Sequence, residues 1–336
     1  MKILQAPINV AGQASLISAG LKKLGVKSEV LTFNQNRFAF PSDINLDLKS
    51  KPWLVAVFVL FVNFIKCLFK YEYFHFHFGE SLLPFNLDLP VMKLFKKKMV
   101  MEFWGSDVIQ LDKAIHYTLF SLKELREIFP RINDQKKRKR LAKIGRYIKT
   151  TIVGDYSLLP FLPKSIVVRQ AFDINKLPYV GAKSTGKQIM IVHAPTDRKI
   201  KGTKYVLETI KRLKREGYKV NFWLIEKMSN RDAIEAYKRA DIAVDDLLQG
   251  PYGIFAIECM ALGKPVLCRR DEKLEKYYQD LPIINTSPKN IYQNLKYLIE
   301  HPRIRQRLGK EGRMYVEKNH NAKNIAQKLL KVYKSL

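Results

Sequence analysis

The sequence is short of several things, and each shortage closes off a class of protein. Cysteine occurs at Cys67, Cys259 and Cys268 only, with no C-x-x-C spacing, so neither a disulfide framework nor a zinc knuckle can be read. A reducing cytosol is then the simplest setting. Glycine (16) and proline (15) are sparse in 336 residues that are 47% hydrophobic, which excludes low-complexity disorder. The opening MKILQAPINVAG has one lysine and no apolar run of signal-peptide length, so export is not expected. Acidic residues are scarce, 31 against 60 Lys+Arg, for a net charge of +29. Such an excess points to anionic partners and says nothing about fold. It is spread out, with 27 basic and 13 acidic residues in 1–172 against 33 and 18 in 173–336, so no single tail carries it. HExxH, Walker, GxGxxG, serine-elbow and kinase motifs are all missing.

A clean apolar run of membrane-spanning length is missing too. The nearest is Trp53–Phe69, interrupted by Asn63 and Lys66 and short of the roughly 20 residues a span needs. Three readings stand: a buried helix, a helix that dips one face into a bilayer with Lys66 and Lys70 at its edge, or a true span.

Short apolar runs alternate with helical patterns along the whole chain. MKILQAPI, KSEVLTF, YEYFHFHF, KKMVMEFW and TTIVGD read as strands. Ala14–Leu24, followed by Gly25, reads as a helix with a glycine cap. A second series, KQIMIVHA, KVNFWLIE, DIAVDD, KPVLCR and LPIINT, follows Ser184. Parallel strands need helical crossovers, so two such series predict two doubly wound α/β domains, joined through the loop-like stretch Val168–Thr185. A chain above roughly 250–300 residues favours the same division. The stretch Pro302–Leu336 reads as helical.

Chemistry concentrates in Gly250–Cys268, GPYGIFAIECMALGKPVLC. Gly253 opens a turn, Ile254–Leu262 has helical spacing up to Gly263, and Pro265 stops the helix. A glycine loop entering a helix presents free N–H groups at the positive end of the dipole, an anion site. Glu258 sits on the second turn, where a carboxylate can accept bonds from vicinal sugar hydroxyls.

These residues resemble the signature of retaining glycosyltransferases of family 4, which have the GT-B fold. HAPTDRKIKGTKYVLETIKRLKREG, IVVRQAFDINKL, MEFWGSD and the C-terminal stretch from His301 fall in the family's order. The resemblance implies two Rossmann-like domains facing across a cleft. Residues 1–168 would form the acceptor-side domain and 169–318 the nucleotide-sugar-binding domain, with 319–336 as a helix returning to the first. It implies that Glu258 bonds the nucleotide ribose and that the amides of Gly253, Ile254 and Phe255 approach the donor. Arg198 and Lys201 would neutralise the diphosphate. Gly12, in NVAGQAS, matches the glycine loop that meets the phosphates from the other domain, although an ordinary strand–helix turn reads the same.

The sequence departs from the family's pattern in two places. The first glutamate, expected eight positions before Glu258, is Gly250 here, with Asp245, Asp246 or Gln249 as candidate substitutes. The histidine expected before Gly105 is Trp104. Asp107 reads equally as a helix cap or an acceptor-side group. Alternation puts His75 and His77 on one strand face, as structural histidines or as sugar contacts. Lys136, Lys139, Arg140, Lys143 and Arg146 share one helical face, either solvated or facing anionic lipid together with KLFKKK at 93–98. It lacks the interleaved aromatics and motifs of a nucleic-acid binder.

The resemblance thus implies a hexosyltransferase type of enzyme that uses a nucleoside-diphosphate sugar, with no metal and no other cofactor. The acceptor would be a glycan or lipid-linked hydroxyl, in cell-surface polysaccharide or glycolipid synthesis. The expected place is the cytoplasmic face of the cell membrane, against an anionic surface, with no nucleic-acid partner. A nucleotide-sugar 2-epimerase, or a non-catalytic sugar-nucleotide-binding subunit, are the alternatives within the same fold.

Overall fold

A computed structural model describes residues 1–35, 40–182 and 188–336; the end of the expected joint, at 183–185, lies outside them. The chain forms two compact units, Met1–Lys113 with Arg131–Asp173 and His320–Leu336, and Ala114–Pro130 with Ile174–Asn319.

In the first unit the runs of β-branched and aromatic residues become β1 (Lys2–Ala6), β2 (Lys27–Thr32), β4 (Tyr73–His77), β5 (Lys98–Phe103) and β6 (Thr150–Val153). The two-residue edge strands β3 (Ile44–Asn45) and β7 (Ile166–Val167) complete a sheet of order β3-β2-β1-β4-β5-β6-β7. Every pairing in it is parallel. Parallel strands are covered on both faces, so they read as continuous apolar runs rather than alternating ones. The Gln13–Lys23 helix packs with Ala322–Lys334, and Ile17, Leu21, Ile325, Ala326 and Leu329 share one core with Ile3 and Val100. The C-terminal helix therefore closes the first unit.

The Trp53–Lys70 helix corrects the buried-helix reading. Its buried residues are Leu60, Phe64, Cys67 and Leu68, one narrow seam. Trp53 is 73%, Phe58 67% and Phe69 72% exposed. The helix is apolar over most of its circumference, and composition of that kind ordinarily marks burial; here the unit covers one side only.

The second unit holds β8 (Ile189–His193), β9 (Val220–Leu224), β10 (Ile242–Val244), β11 (Val266–Cys268) and β12 (Ile283–Asn285), in the order β12-β11-β10-β8-β9. All of these pairs are parallel as well. The Ile254–Ala261 helix packs against Pro302–Asn319. Gly309 permits that approach, since a Cβ there would meet Gly263 O at 2.1 Å. Residues 114–130 group with this unit and not with the first, where the sequence reading put them. The Leu119 amide donates to Leu248 O (2.9 Å), and Arg269 and Lys273 donate to the carbonyls of Tyr117 and His116. These bonds tie the segment to loops far off in sequence, which local pattern cannot reveal.

Candidate functional site

Residues at the C-terminal ends of β8, β9 and β10 gather around the start of the Ile254–Ala261 helix. Ligands of open parallel α/β sheets bind at such strand ends. The helix opens at Gly253 without a side-chain cap, leaving its first turn to a ligand. The Gly253 amide is already engaged: it donates to Asp245 Oδ2 at 3.0 Å. That amide is therefore not free for the expected anion contact, and the amides of Ile254 and Phe255 follow it in the first turn.

Lys201 ends the short Arg198–Lys201 helix, which Asp197 caps through the amides of Lys199 and Ile200. Its ammonium reaches Asp245 Oδ1 at 3.0 Å and Asp246 Oδ2 at 3.5 Å. Burial acts to lower its pKa, but the charges of Asp245 and Asp246 outweigh burial and hold it above the ordinary lysine range. Lys201 Nζ also stands 3.8 Å from where a Cβ on Gly253 would lie, so the loop and the cation face each other closely. Asp246 accepts from the amides of Leu248 and Gln249, and burial raises its pKa.

Glu258 is buried, and burial pushes its carboxyl up to about 7 against the pull of a hydrogen bond from Asn230. Asn230 Nδ2 donates to Glu258 Oε1 at 3.0 Å. A buried carboxylate with a single neutral donor has room to gain stabilisation from added donors such as sugar hydroxyls. Arg198 is exposed, and its guanidinium holds Glu226 through two bonds, Nε to Oε1 at 2.8 Å and Nη2 to Oε2 at 2.5 Å. The diphosphate contact expected of it from the sequence would require the guanidinium to exchange that partner.

Gly250 has φ +114°, and a Cβ there would meet Arg269 Nη1 at 2.9 Å. Arg269 is held by Tyr117 O, Gln249 O and Asp271, so this position has no space for a glutamate. Of the three candidate substitutes, Asp245 is the one whose carboxylate touches both Lys201 and the Gly253 amide.

The remaining expected residues lie in the first unit. Gly12, at φ +75°, ends a tight turn before the Gln13–Lys23 helix, and a Cβ would stand 2.9 Å from the Phe40 ring. Asp107 is buried and accepts from the amides of Trp104 and Gly105. Burial lifts its pKa to about 6 while those bonds lower it, so it braces its own turn. His75 and His77 correct the sugar-contact reading: both are fully buried, with Glu102 Oε2 at 3.1 and 3.2 Å. His75 Nδ1 lies 2.7 Å from Tyr333 Oη and His77 Nε2 2.9 Å from Gln5 Oε1. They are core residues. Trp104 is partly exposed and stacks on His77 with centroids 6.4 Å apart.

The His75, His77 and Glu102 ligand atoms lie within 4.8 Å of one another, the spacing of a metal site. The imidazole planes are stacked at 15° with centroids 4.4 Å apart. A metal lies in the plane of each imidazole that ligates it, and planes this nearly parallel do not meet at coordination distance. The outer ring nitrogens are held by Tyr333 and Gln5, while His75 Nε2, His77 Nδ1 and Glu102 Oε2 face one another without a well-formed hydrogen bond among the described residues. Burial and His75 push His77 down to about 4, while the two imidazoles pull buried Glu102 down to about 2.

Sequence reasoning missed Asn230, Glu226, Arg269 and Glu102, which act as partners across the fold. Their contacts are set by which loops meet at a strand end, and no local spacing encodes that.

A glycosyl transferase-like family model matches residues 198–331, the stretch that holds Arg198, Lys201 and Glu258. No curated protein matches the sequence. Among solved structures, sucrose-phosphate synthase from Thermosynechococcus elongatus is similar over 100% of this chain and 99% of its own, at TM-score 0.69 and 14% identity. HepE from Anabaena in complex with UDP matches over 100% of both chains, at TM-score 0.66 and 13% identity. The UDP-GlcNAc 2-epimerase from Neisseria meningitidis matches over 100% of both, at 0.56 and 15%. At these identities the likeness shows fold: two parallel-sheet, Rossmann-like α/β units of the GT-B class.

Proposed function

We propose that this protein is a glycosyltransferase that moves a sugar from a nucleoside-diphosphate sugar to an acceptor hydroxyl with retention of configuration. The observation that carries the reading is buried Glu258, one turn inside a helix whose opening glycine faces Lys201. Glu258 accepts bonds from the ribose hydroxyls. Lys201, joined by Arg198 once it leaves Glu226, neutralises the diphosphate, assisted by the amides of Ile254 and Phe255. Asp245 takes the part of the carboxylate that Gly250 has no room to carry, accepting hydroxyls of the donor sugar.

The bond that breaks joins the anomeric carbon to a β-phosphate oxygen. Charge grows on that phosphate as it leaves, and fixed cations already in place lower the barrier. The acceptor oxygen bonds the anomeric carbon from the same face, and its proton passes to the departing phosphate. This route draws on no metal and no side-chain base.

HepE of Anabaena has also been crystallised with UDP-glucose, which makes UDP-sugars the first donors to test. The acceptor is a glycan or lipid-linked hydroxyl, in cell-surface polysaccharide or glycolipid synthesis, at the cytoplasmic face of the membrane. The epimerase likeness supports a second reading, separated by incubation with the donor alone: an epimerase converts it without acceptor. A thermal-shift panel of nucleotide sugars tests the donor class, since a ligand of the folded state raises the melting temperature. No shift with any nucleotide or nucleotide sugar would remove the proposal.

A further inference from the structure

The first unit leaves an unusual amount of apolar side chain in water, and it is contiguous. The outer side of the Trp53–Lys70 helix presents Trp53, Leu54, Val57, Phe58, Phe61 and Phe69. At about 1.5 Å per residue the helix is roughly 27 Å long. Its inner seam packs on the unit, and the half-buried Asn63 turns its Nδ2 back to Val59 O at 2.8 Å. A second ridge runs through residues 85–95, where Phe85 is 83% and Leu94 78% exposed. The two ridges touch, the Phe69 and Phe95 rings meeting edge to face at 5.9 Å.

Cations border this surface. Lys51 precedes the helix, Lys66 and Lys70 end it, and the stretch from Trp53 to Ile65 carries no charge. Lys93 and Lys96 are exposed on the second ridge. The basic Asp134–Tyr147 helix is joined to that ridge: Lys143 Nζ donates to Phe85 O at 2.6 Å, and Lys93 Nζ to Arg146 O at 3.4 Å. Arg140 turns inward to Glu80, while Lys136, Lys139, Arg146 and Lys149 stay exposed.

An exposed apolar patch of this extent marks an interaction surface. Aromatic and aliphatic side chains with lysines at the margin suit the boundary between headgroups and acyl chains. A second copy of the chain would instead set like-charged margins against each other. We infer that the Trp53–Lys70 helix and the 85–95 ridge together form one surface that inserts into the headgroup region of an anionic bilayer, the helix lying in the membrane plane. The inference deepens the proposed site of action and stands apart from the assigned chemistry.

Co-sedimentation with phosphatidylcholine vesicles, and with equimolar phosphatidylcholine and phosphatidylglycerol, tests it. The expected result is binding to the anionic vesicles, weakened at least about tenfold by F58D/F61D and separately by F85D/L94D. Circular dichroism melts should show both variants folded, because all four side chains are exposed. K93E/K96E should weaken binding to anionic vesicles and leave binding to neutral ones unchanged. Absence of vesicle binding, binding unaffected by either apolar pair, or a lipid-free dimer broken by F58D/F61D would overturn it. Nucleotide binding measured without lipid reports on the proposed chemistry alone, so each reading can fail without the other.

Discussion

Arg269 fills the space that a side chain at Gly250 would need, its Nη1 standing 2.9 Å from the position of a Cβ. The residue missing from the resemblance is therefore excluded by packing, and the neighbouring carboxylate of Asp245 is bonded to Lys201 instead.

Gly250→Glu should accordingly gain nothing. The left-handed φ and the fixed guanidinium make any side chain there unfavourable, by about 2 kcal/mol or more. Urea unfolding should show that loss, with no rise in transfer. A stable, more active variant would mean that Arg269 yields easily and that Asp245 is not the substitute.

Lys201 holds two buried carboxylates. Lys201→Met leaves both uncompensated and should destabilise the protein by roughly 3 kcal/mol. Adding Asp246→Asn should recover part of that stability without recovering nucleotide binding. Denaturant midpoints and calorimetric titrations of the single and double variants check the two effects separately.

Glu258 has a folded pKa of about 7, above its ordinary 4.5. Its contribution to stability is fully present below pH about 4.5 and is lost as pH rises through about 7. Glu258→Gln cannot ionise, so its stability relative to the native protein should grow with pH, approaching roughly 3 kcal/mol near pH 8. Melting curves between about pH 5 and about pH 8 measure the gap; a gap that stays constant would place Glu258 in water.

Glu226 occupies Arg198 at the surface. Glu226→Gln should leave the melting temperature essentially unchanged, since exposed ion pairs contribute little. UDP affinity should rise severalfold, because the guanidinium no longer has to leave a partner. Unchanged or weaker affinity would show that Arg198 does not meet the diphosphate.

Much of the fold is legible in the sequence because parallel strands buried on both faces leave plain apolar runs, as at 189–192 and Ile242–Val244. The helix after Gly253 is legible from its flanking glycines. The two-residue strands β3 and β7 are too short to leave a pattern. The exposed face of Trp53–Lys70 is hidden because composition records what a helix is made of and not what covers it. Alternation puts His75 and His77 on one face, but only the β4–β5 register brings Glu102 opposite His77. Within the site, Glu258 and Lys201 are legible as motif positions, whereas Asn230 and Arg269 enter through loops that meet only in the folded unit.

Calorimetric titration of UDP into the native protein and into Glu258→Ala bears most directly on the proposed donor site. Saturable binding is expected in the native protein, weakened at least about thirtyfold in the variant by loss of charge-assisted bonds to the ribose, with both proteins melting cooperatively. Equal UDP affinity in a folded Glu258→Ala protein would contradict it.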